Sequence, residues 1–318
     1  MKKLTLIASL LCFSIQQLYA QKDIELTFDN GETKTFRFDY DDPEVLPKWG
    51  LDLRFFGLTD LGVGVPGPKI IPYFRASYKL TFQGHLTIPY SKGMDENALG
   101  REEAMSTSDW SLMSHYIILS KDQTKEKNVA VDFGHSGGAD VIYKAKLPRS
   151  VKRNLAVDGG LGGYRYYKDI ELEREPPKNF GNMDSNYYIG MVSNTAMQLG
   201  LSYFKSESYK MTTDDKTRTY WNTQRIYARM TLGLINKYSI TKAGVEVDKV
   251  ADGFQQPVKS VLGYRIGMDR NFGIKNSGCS MIWGLEFGSL PGIKGEGLKN
   301  TIFMLHFGIG LAPKPDNL

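Results

Sequence analysis

The sequence predicts an all-β fold: an antiparallel, up-and-down transmembrane β-barrel of about twelve strands (range roughly 8–14) behind a cleaved signal peptide. Three observations predict it. The first 20 residues have the form of an export leader. No apolar run after residue 21 reaches the ~20 residues that a spanning helix needs. The C-terminal half alternates at period two, with large apolar side chains on one face and glycine plus charge on the other.

The leader begins Met1-Lys2-Lys3, continues through a mostly apolar run from Leu4 to Ile15, and reaches Leu18-Tyr19-Ala20-Gln21. A basic start, an apolar middle and a small residue at Ala20 make a secretory signal, with cleavage expected after Ala20. Loss of Lys2 and Lys3 lowers the formal charge from +5 to +3. That is too mild a balance, and too evenly spread, to argue for nucleic acid. Cys12 leaves with the leader, so the mature chain is expected to keep one thiol, Cys279, and no internal disulfide. A lipid anchor on Cys12 would want a small residue before it, and Leu11 stands there. Glycine (33) and tyrosine (18) are abundant, which narrows an exported chain to a soluble periplasmic β protein or an outer-membrane barrel.

Residues 21–49 form a separate N-terminal segment. Ile24–Phe28 and Thr33–Phe38 read as short strands around Asp29-Asn30-Gly31, and Asn-Gly is a strong hairpin signal. This hairpin is expected on the periplasmic side or tucked into the barrel, which occupies 50–318. Strand patterns follow at 51–63, 69–82, 84–91, 111–120, 127–134, 139–147, 152–166, 187–211, 217–234, 260–271, 279–288 and 300–311. Asp122–Lys127, Thr212–Lys216 and Gly273–Gly278 read as short turns. Ser91–Trp110, Lys168–Ser185, Asn236–Lys259 and Ser289–Lys299 read as longer connections at the opposite end.

The alternation is clearest late in the chain. In Arg225–Leu234, Ile226, Ala228, Met230, Leu232 and Leu234 oppose Arg225, Tyr227, Arg229, Thr231 and Gly233. Leu262, Tyr264, Ile266 and Met268 oppose Gly263, Arg265, Gly267 and Asp269. Trp283 and Phe287 oppose Gly284, Glu286 and Gly288, while Phe303, Phe307 and Ile309 oppose His306, Gly308 and Gly310. Glycine beside charge suits a narrow lumen, where bulk is limited. Tyr164, Tyr166, Tyr167, Tyr187, Tyr188, Tyr203, Tyr220, Trp221 and Trp283 are expected as interfacial aromatics near strand ends.

Few residues suggest chemistry. Gly134-His135-Ser136-Gly137-Gly138 matches the nucleophile-elbow pattern, but a strand-like run follows it instead of a helix. A glycine-rich hairpin tip is the preferred reading. Ser136 and His306, with His115 and His135 beside them, are the catalytic candidates for a barrel-embedded lipid hydrolase. His85, His115, His135 and His306 lie far apart, so no metal and no cofactor is expected. Gly159–Gly163 lacks the Lys-Ser/Thr of a phosphate loop. Arg225, Arg229, Arg265, Asp269, Glu286 and His306 are expected to line the lumen. Opposite charges should pair across it, as a salt-bridged plug or, with a cationic excess, an anion-favouring pore.

The leader end Tyr19-Ala20-Gln21, the run Gly263-Tyr264-Arg265-Ile266-Gly267 and the terminal glycine-aromatic strands together resemble outer-membrane β-barrel proteins of the Bacteroidetes type. The resemblance spans the mature chain and implies fold and location, with no catalytic or ligand residue. The chain departs from that family in ending with a polar tail, Ala312–Leu318, after the last strand. The expected role is a non-enzymatic structural or interaction subunit of an envelope complex, or a narrow pore. Outer-membrane lipid and an envelope complex are the expected partners. The alternatives are the lipid hydrolase and a soluble periplasmic β-sandwich binding protein.

Overall fold

The computed structural model describes residues 22–27, 31, 33–39, 49–60, 68–87, 108–136, 139–171, 187–213, 216–242, 245–246, 258–274, 278–294 and 301–311. The leader expected over 1–20, most of each long connection and the tail after Leu311 lie outside these residues.

Fifteen strands run in chain order: β1 (Lys22–Thr27), β2 (Thr33–Asp39), β3 (Trp49–Asp60), β4 (Lys69–Arg75), β5 (Leu80–Thr87), β6 (Ser108–Ser136), β7 (Ala139–Glu171), β8 (Tyr187–Thr213), β9 (Lys216–Lys242), β10 (Val245–Glu246), β11 (Val258–Ser260), β12 (Leu262–Ile274), β13 (Cys279–Ser289), β14 (Gly292–Lys294) and β15 (Thr301–Leu311). Ten of them close into one antiparallel ring, β3-β4-β5-β6-β7-β8-β9-β12-β13-β15, with β15 paired back to β3. The other sheet among the described residues is the two-stranded β11–β14, so no second sheet exists there to build a sandwich.

The ring has ten strands where the sequence suggested about twelve. The stretch Asp122–Lys127, expected as a turn, lies inside β6 and stays paired with β7 from Lys152 to Leu147. The patterns at 111–120 and 127–134 are one strand, and so are those at 139–147 and 152–166. The reason is physical. Beyond about Ser120, β6 leaves the ring paired with β7 alone and is exposed at Lys121, Asp122, Thr124, Lys125 and Glu126. With no apolar face, the alternation disappears and a strand resembles a turn. The β4–β5 turn also lies earlier than expected, at Ala76–Lys79.

The short turns and the start of β3 share one end of the ring, and the long connections share the other. Gly278, at φ +67°, turns the chain into β13 at the short-turn end. The β6–β7 hairpin projects from this end by roughly 50 Å, taking ~3.3 Å per residue. β1 and β2 form the hairpin expected around Asn30-Gly31, and Gly31 supplies the positive φ of its turn. The hairpin sits outside the ring: β2 pairs with the projecting end of β8 through Phe36–Asp39. Phe36 and Phe38 bury against Ala145 of β7, with Tyr209 and Met211 of β8 beside them. Burial there pushes the Tyr209 hydroxyl up to about 12.

The ring wall is inverted relative to a water-soluble protein. Along β9, Ile226, Met230 and Leu234 are exposed while Arg225, Tyr227, Arg229 and Thr231 are buried. Along β12, Leu262, Tyr264 and Ile266 face out, and Arg265 faces in. Met281, Phe287, Phe303, Phe307, Ile309 and Leu311 continue the outer band. Trp49, Phe74 and Phe82 are exposed and lie in one cross-strand row at the short-turn end. Two of the expected interfacial aromatics point the other way: Tyr164 is buried in the lumen, and Trp221 lines an interior cavity.

Candidate functional site

The lumen is the chemically distinctive part of this molecule, and it has three layers. The middle layer is a network of ion pairs. Asp158 of β7 is fully buried and accepts four bonds: from His115 Nδ1 at 2.7 Å, Ser202 Oγ at 2.5 Å, Arg225 Nη2 at 3.2 Å and Arg229 Nε at 3.0 Å. Gln83 Oε1 completes this group, accepting from Arg225 Nη1 at 2.9 Å and lying 3.1 Å from His115 Nε2. Across the lumen, Asp269 Oδ1 is 2.9 Å from Arg54 Nη1 and 3.0 Å from His306 Nε2. Glu286 pairs with Arg265 at 3.2 Å and accepts the Tyr227 hydroxyl proton at 2.5 Å. The Tyr227 ring is flanked by the Arg225 and Arg229 guanidiniums, 4.8 and 4.4 Å from its centroid.

One device recurs in this layer. Asp158, Gly200 and Arg229 occupy one row across β7, β8 and β9. Tyr227, Gly267 and Glu286 occupy one row across β9, β12 and β13. Asp269, Gly284 and His306 occupy one row across β12, β13 and β15. In each row the outer two side chains bond to one another over the glycine between them. Side chains two strands apart are normally separated by the one in the middle, at ~4.8 Å per strand. A Cβ on Gly267 would strike the Tyr227 ring, and one on Gly284 would strike His306 and Asp269. The inward glycines therefore do more than save space: they let polar partners two strands apart reach each other.

Such pairing is what the interior demands. An unpaired charge in low dielectric costs several kcal/mol, whereas a paired and hydrogen-bonded one is tolerated. A cavity of about 50 Å³ lies among Arg54, Arg229, Arg265 and His306, large enough for a buried water. Arg229 Nη2, Arg54 Nε, Arg265 Nε and His306 Nδ1 have no acceptor among the described protein groups.

The long-loop end holds an apolar cluster. Tyr164, Leu290, Ile302 and Met304 form a buried cluster with Tyr238 against it. The chain after β13 folds inward here, and Tyr164 donates its hydroxyl proton to the Pro291 carbonyl. Gly263 leaves room for this, since a Cβ there would meet the Pro291 ring at 2.6 Å. The short-turn end stays open as a vestibule of about 220 Å³. Its floor is Arg54, Gln83, Arg225 and Asp269, which also border the inner cavity.

The six side chains expected to line the lumen, Arg225, Arg229, Arg265, Asp269, Glu286 and His306, all lie in this interior. Arg54, a strand charge in the sequence, lies there too, and the structure adds Asp52, Lys69, Asp109 and His115. Their signal in the sequence was weaker because β3–β6 lack long clean alternation. Ser136 and His306 are kept apart: Ser136 pairs with Ala139 at the tip of the β6–β7 hairpin, while His306 pairs with Gly284 within the ring. Ser202, His115 and Asp158 do meet, but Ser202 donates to Asp158 and not to the imidazole, so the serine–histidine contact of a catalytic triad is not made. Among the described residues, no three His, Cys, Asp or Glu side chains converge as around a metal ion. No protein-family model matches this chain, and no curated protein matches it in sequence.

Proposed function

We propose that this chain is an outer-membrane β-barrel with a closed lumen, acting as a structural or interaction subunit of an envelope complex and not as a pore. The inverted wall carries the reading: a continuous apolar outer band around a buried, charge-paired interior is stable in lipid and unfavourable in water. Wall strands such as β13 and β15, 11 residues each, match the 9–11 that a tilted strand needs to cross a bilayer. The row Trp49, Phe74 and Phe82 supports an interfacial belt at the short-turn end. The leader and the resemblance to Bacteroidetes-type barrels support the location.

The apolar cluster and the ion-pair layer support closure. The interaction role is supported by the projecting β6–β7 hairpin and by β1–β2 docked beside it. With both termini periplasmic, these would stand clear of the membrane on that side.

Membrane fractionation tests location. The protein is expected in the outer-membrane fraction, extracted only by detergent and shifting on heating in SDS gels. Release as a soluble periplasmic protein would overturn the reading. Planar-bilayer recording tests closure, where no steady conductance is expected and stable open channels would refute the plug.

A further inference from the structure

We propose that the small cavity in the ion-pair layer is a buried site for one chloride-sized anion. The cavity, about 50 Å³, is too small for an organic ligand and large enough for a halide. Three arginines line it from three different strands: Arg54 of β3, Arg229 of β9 and Arg265 of β12. They are 6, 9 and 6 % exposed, so water outside the lumen does not serve them. Each keeps a nitrogen with no acceptor among the described residues: Arg54 Nε, Arg229 Nη2 and Arg265 Nε. A guanidinium does not deprotonate in a protein, so these N–H groups stay donors. A buried donor left without an acceptor is costly, most of all on a charged group.

The charges set the sign of the occupant. Arg54, Lys69, Arg225, Arg229 and Arg265 border the cavity, with two carboxylates, Asp269 and Glu286. Both carboxylates already face an arginine: Asp269 Oδ1 lies 2.9 Å from Arg54 Nη1, and Glu286 Oε1 lies 3.2 Å from Arg265 Nη1. Asp52, Asp109 and Asp158 reach Arg54, Arg265 and Arg229 from outside the cavity lining, at 3.9, 3.8 and 3.0 Å. Asp158 serves Arg225 and Arg229 together, and Lys69 donates to the neutral sulfur of Met304. The layer as a whole is near balance, but the cavity surface is cationic, and low-dielectric walls focus that field. A water there would accept from two of the three donors and still need acceptors for its own hydrogens. A halide accepts from all three and needs none. Arg54, Gln83, Arg225 and Asp269 border both this cavity and the vestibule, which gives the ion its way in.

The test uses the full mature chain, refolded into a zwitterionic detergent in potassium chloride, bromide or gluconate of equal ionic strength, so that the cavity fills from the salt supplied. Chloride and bromide are expected to raise the unfolding temperature of the heat-modifiable band along a saturating curve, and gluconate to give no such rise. Crystals grown in bromide should show an anomalous-scattering peak bordered by Arg54, Arg229 and Arg265. Arg229→Lys keeps a cation beside Asp158 but removes Nη2, and should raise the half-saturating halide concentration at least tenfold. Ser111→Leu, which fills the cavity without changing a charge, should abolish both the peak and the halide dependence while the ring still folds. A cavity without a bromide peak, equal unfolding temperatures in chloride and gluconate, or a halide dependence that survives Ser111→Leu would overturn the proposal. The site lies inside the ring whatever surrounds the wall, so this test and membrane fractionation fail independently.

Discussion

Asp158 and Arg229 lie two strands apart and still bond at 3.0 Å, because the residue between them in the row is Gly200. This relationship joins composition to stability. A ring of ten strands has an interior too narrow for a large side chain at every inward position. Alternating glycine with long polar and charged residues fills it and lets partners two strands apart bond.

Removing the anion should therefore cost more than removing a surface charge. Asp158→Asn leaves Arg225, Arg229 and His115 around a neutral amide. Breaking a buried pair in this way typically costs about 3–5 kcal/mol. The folded, heat-modifiable band should unfold at a clearly lower temperature in SDS-gel shift assays. The control Asp122→Asn, on the exposed hairpin, should leave the transition within about 0.5 kcal/mol of wild type.

Filling a glycine should act through the same network. Gly284→Ala places a methyl group against His306 and Asp269. Overpacking of this kind costs about 1–3 kcal/mol, with the Asp269–His306 bond lost in addition. The test is a double-mutant cycle with His306→Ala. The two changes should couple by about 1 kcal/mol or more, since His306→Ala removes the obstacle that the new methyl meets. Additive effects would mean that the glycine serves the backbone and not the pair.

How much of this was legible in the sequence depended on what stood opposite each glycine. From Arg225 onward the alternation is long and clean, and the six residues named there, Arg225, Arg229, Arg265, Asp269, Glu286 and His306, border one interior cavity. In β6 it failed, because the stretch Lys121–Glu126 is polar and mostly exposed, with no apolar alternation to mark its register. Tyr164 and Trp221 were misplaced for a different reason: an aromatic near a strand end suits a membrane interface or a lumen equally, and only parity along the strand separates them. The glycine rows were invisible, because they depend on register between strands up to dozens of residues apart in the chain.

The outer band offers a sharper test of what surrounds the wall. Leu201 is exposed in the middle of β8, opposite Val157 and Ala228. In lipid, Leu201→Arg should cost about 2–4 kcal/mol and reduce the assembled protein recovered from membranes. Thr124→Arg, on the exposed part of β6, should be neutral. If the wall faced water, Leu201→Arg would be as harmless as Thr124→Arg, since an exposed position tolerates charge.

The β1–β2 hairpin should detach without loss of the ring. Its hold consists of the four-residue pairing of Phe36–Asp39 with β8 and the burial of two rings, Phe36 and Phe38, each 2 % exposed. Phe→Ala in a buried site costs about 3–5 kcal/mol. A two-stranded hairpin has little stability of its own to offset that loss. Phe38→Ala should therefore expose 22–39 to limited proteolysis while the ring keeps its heat-modifiable band, because all ten ring strands pair without β1 or β2. Ala145→Leu, crowding the same contact from the β7 side, should produce the same pattern. A ring that melted together with the hairpin would instead make β1–β2 part of one cooperative unit, and any partner contact built on the hairpin would then report on the whole barrel.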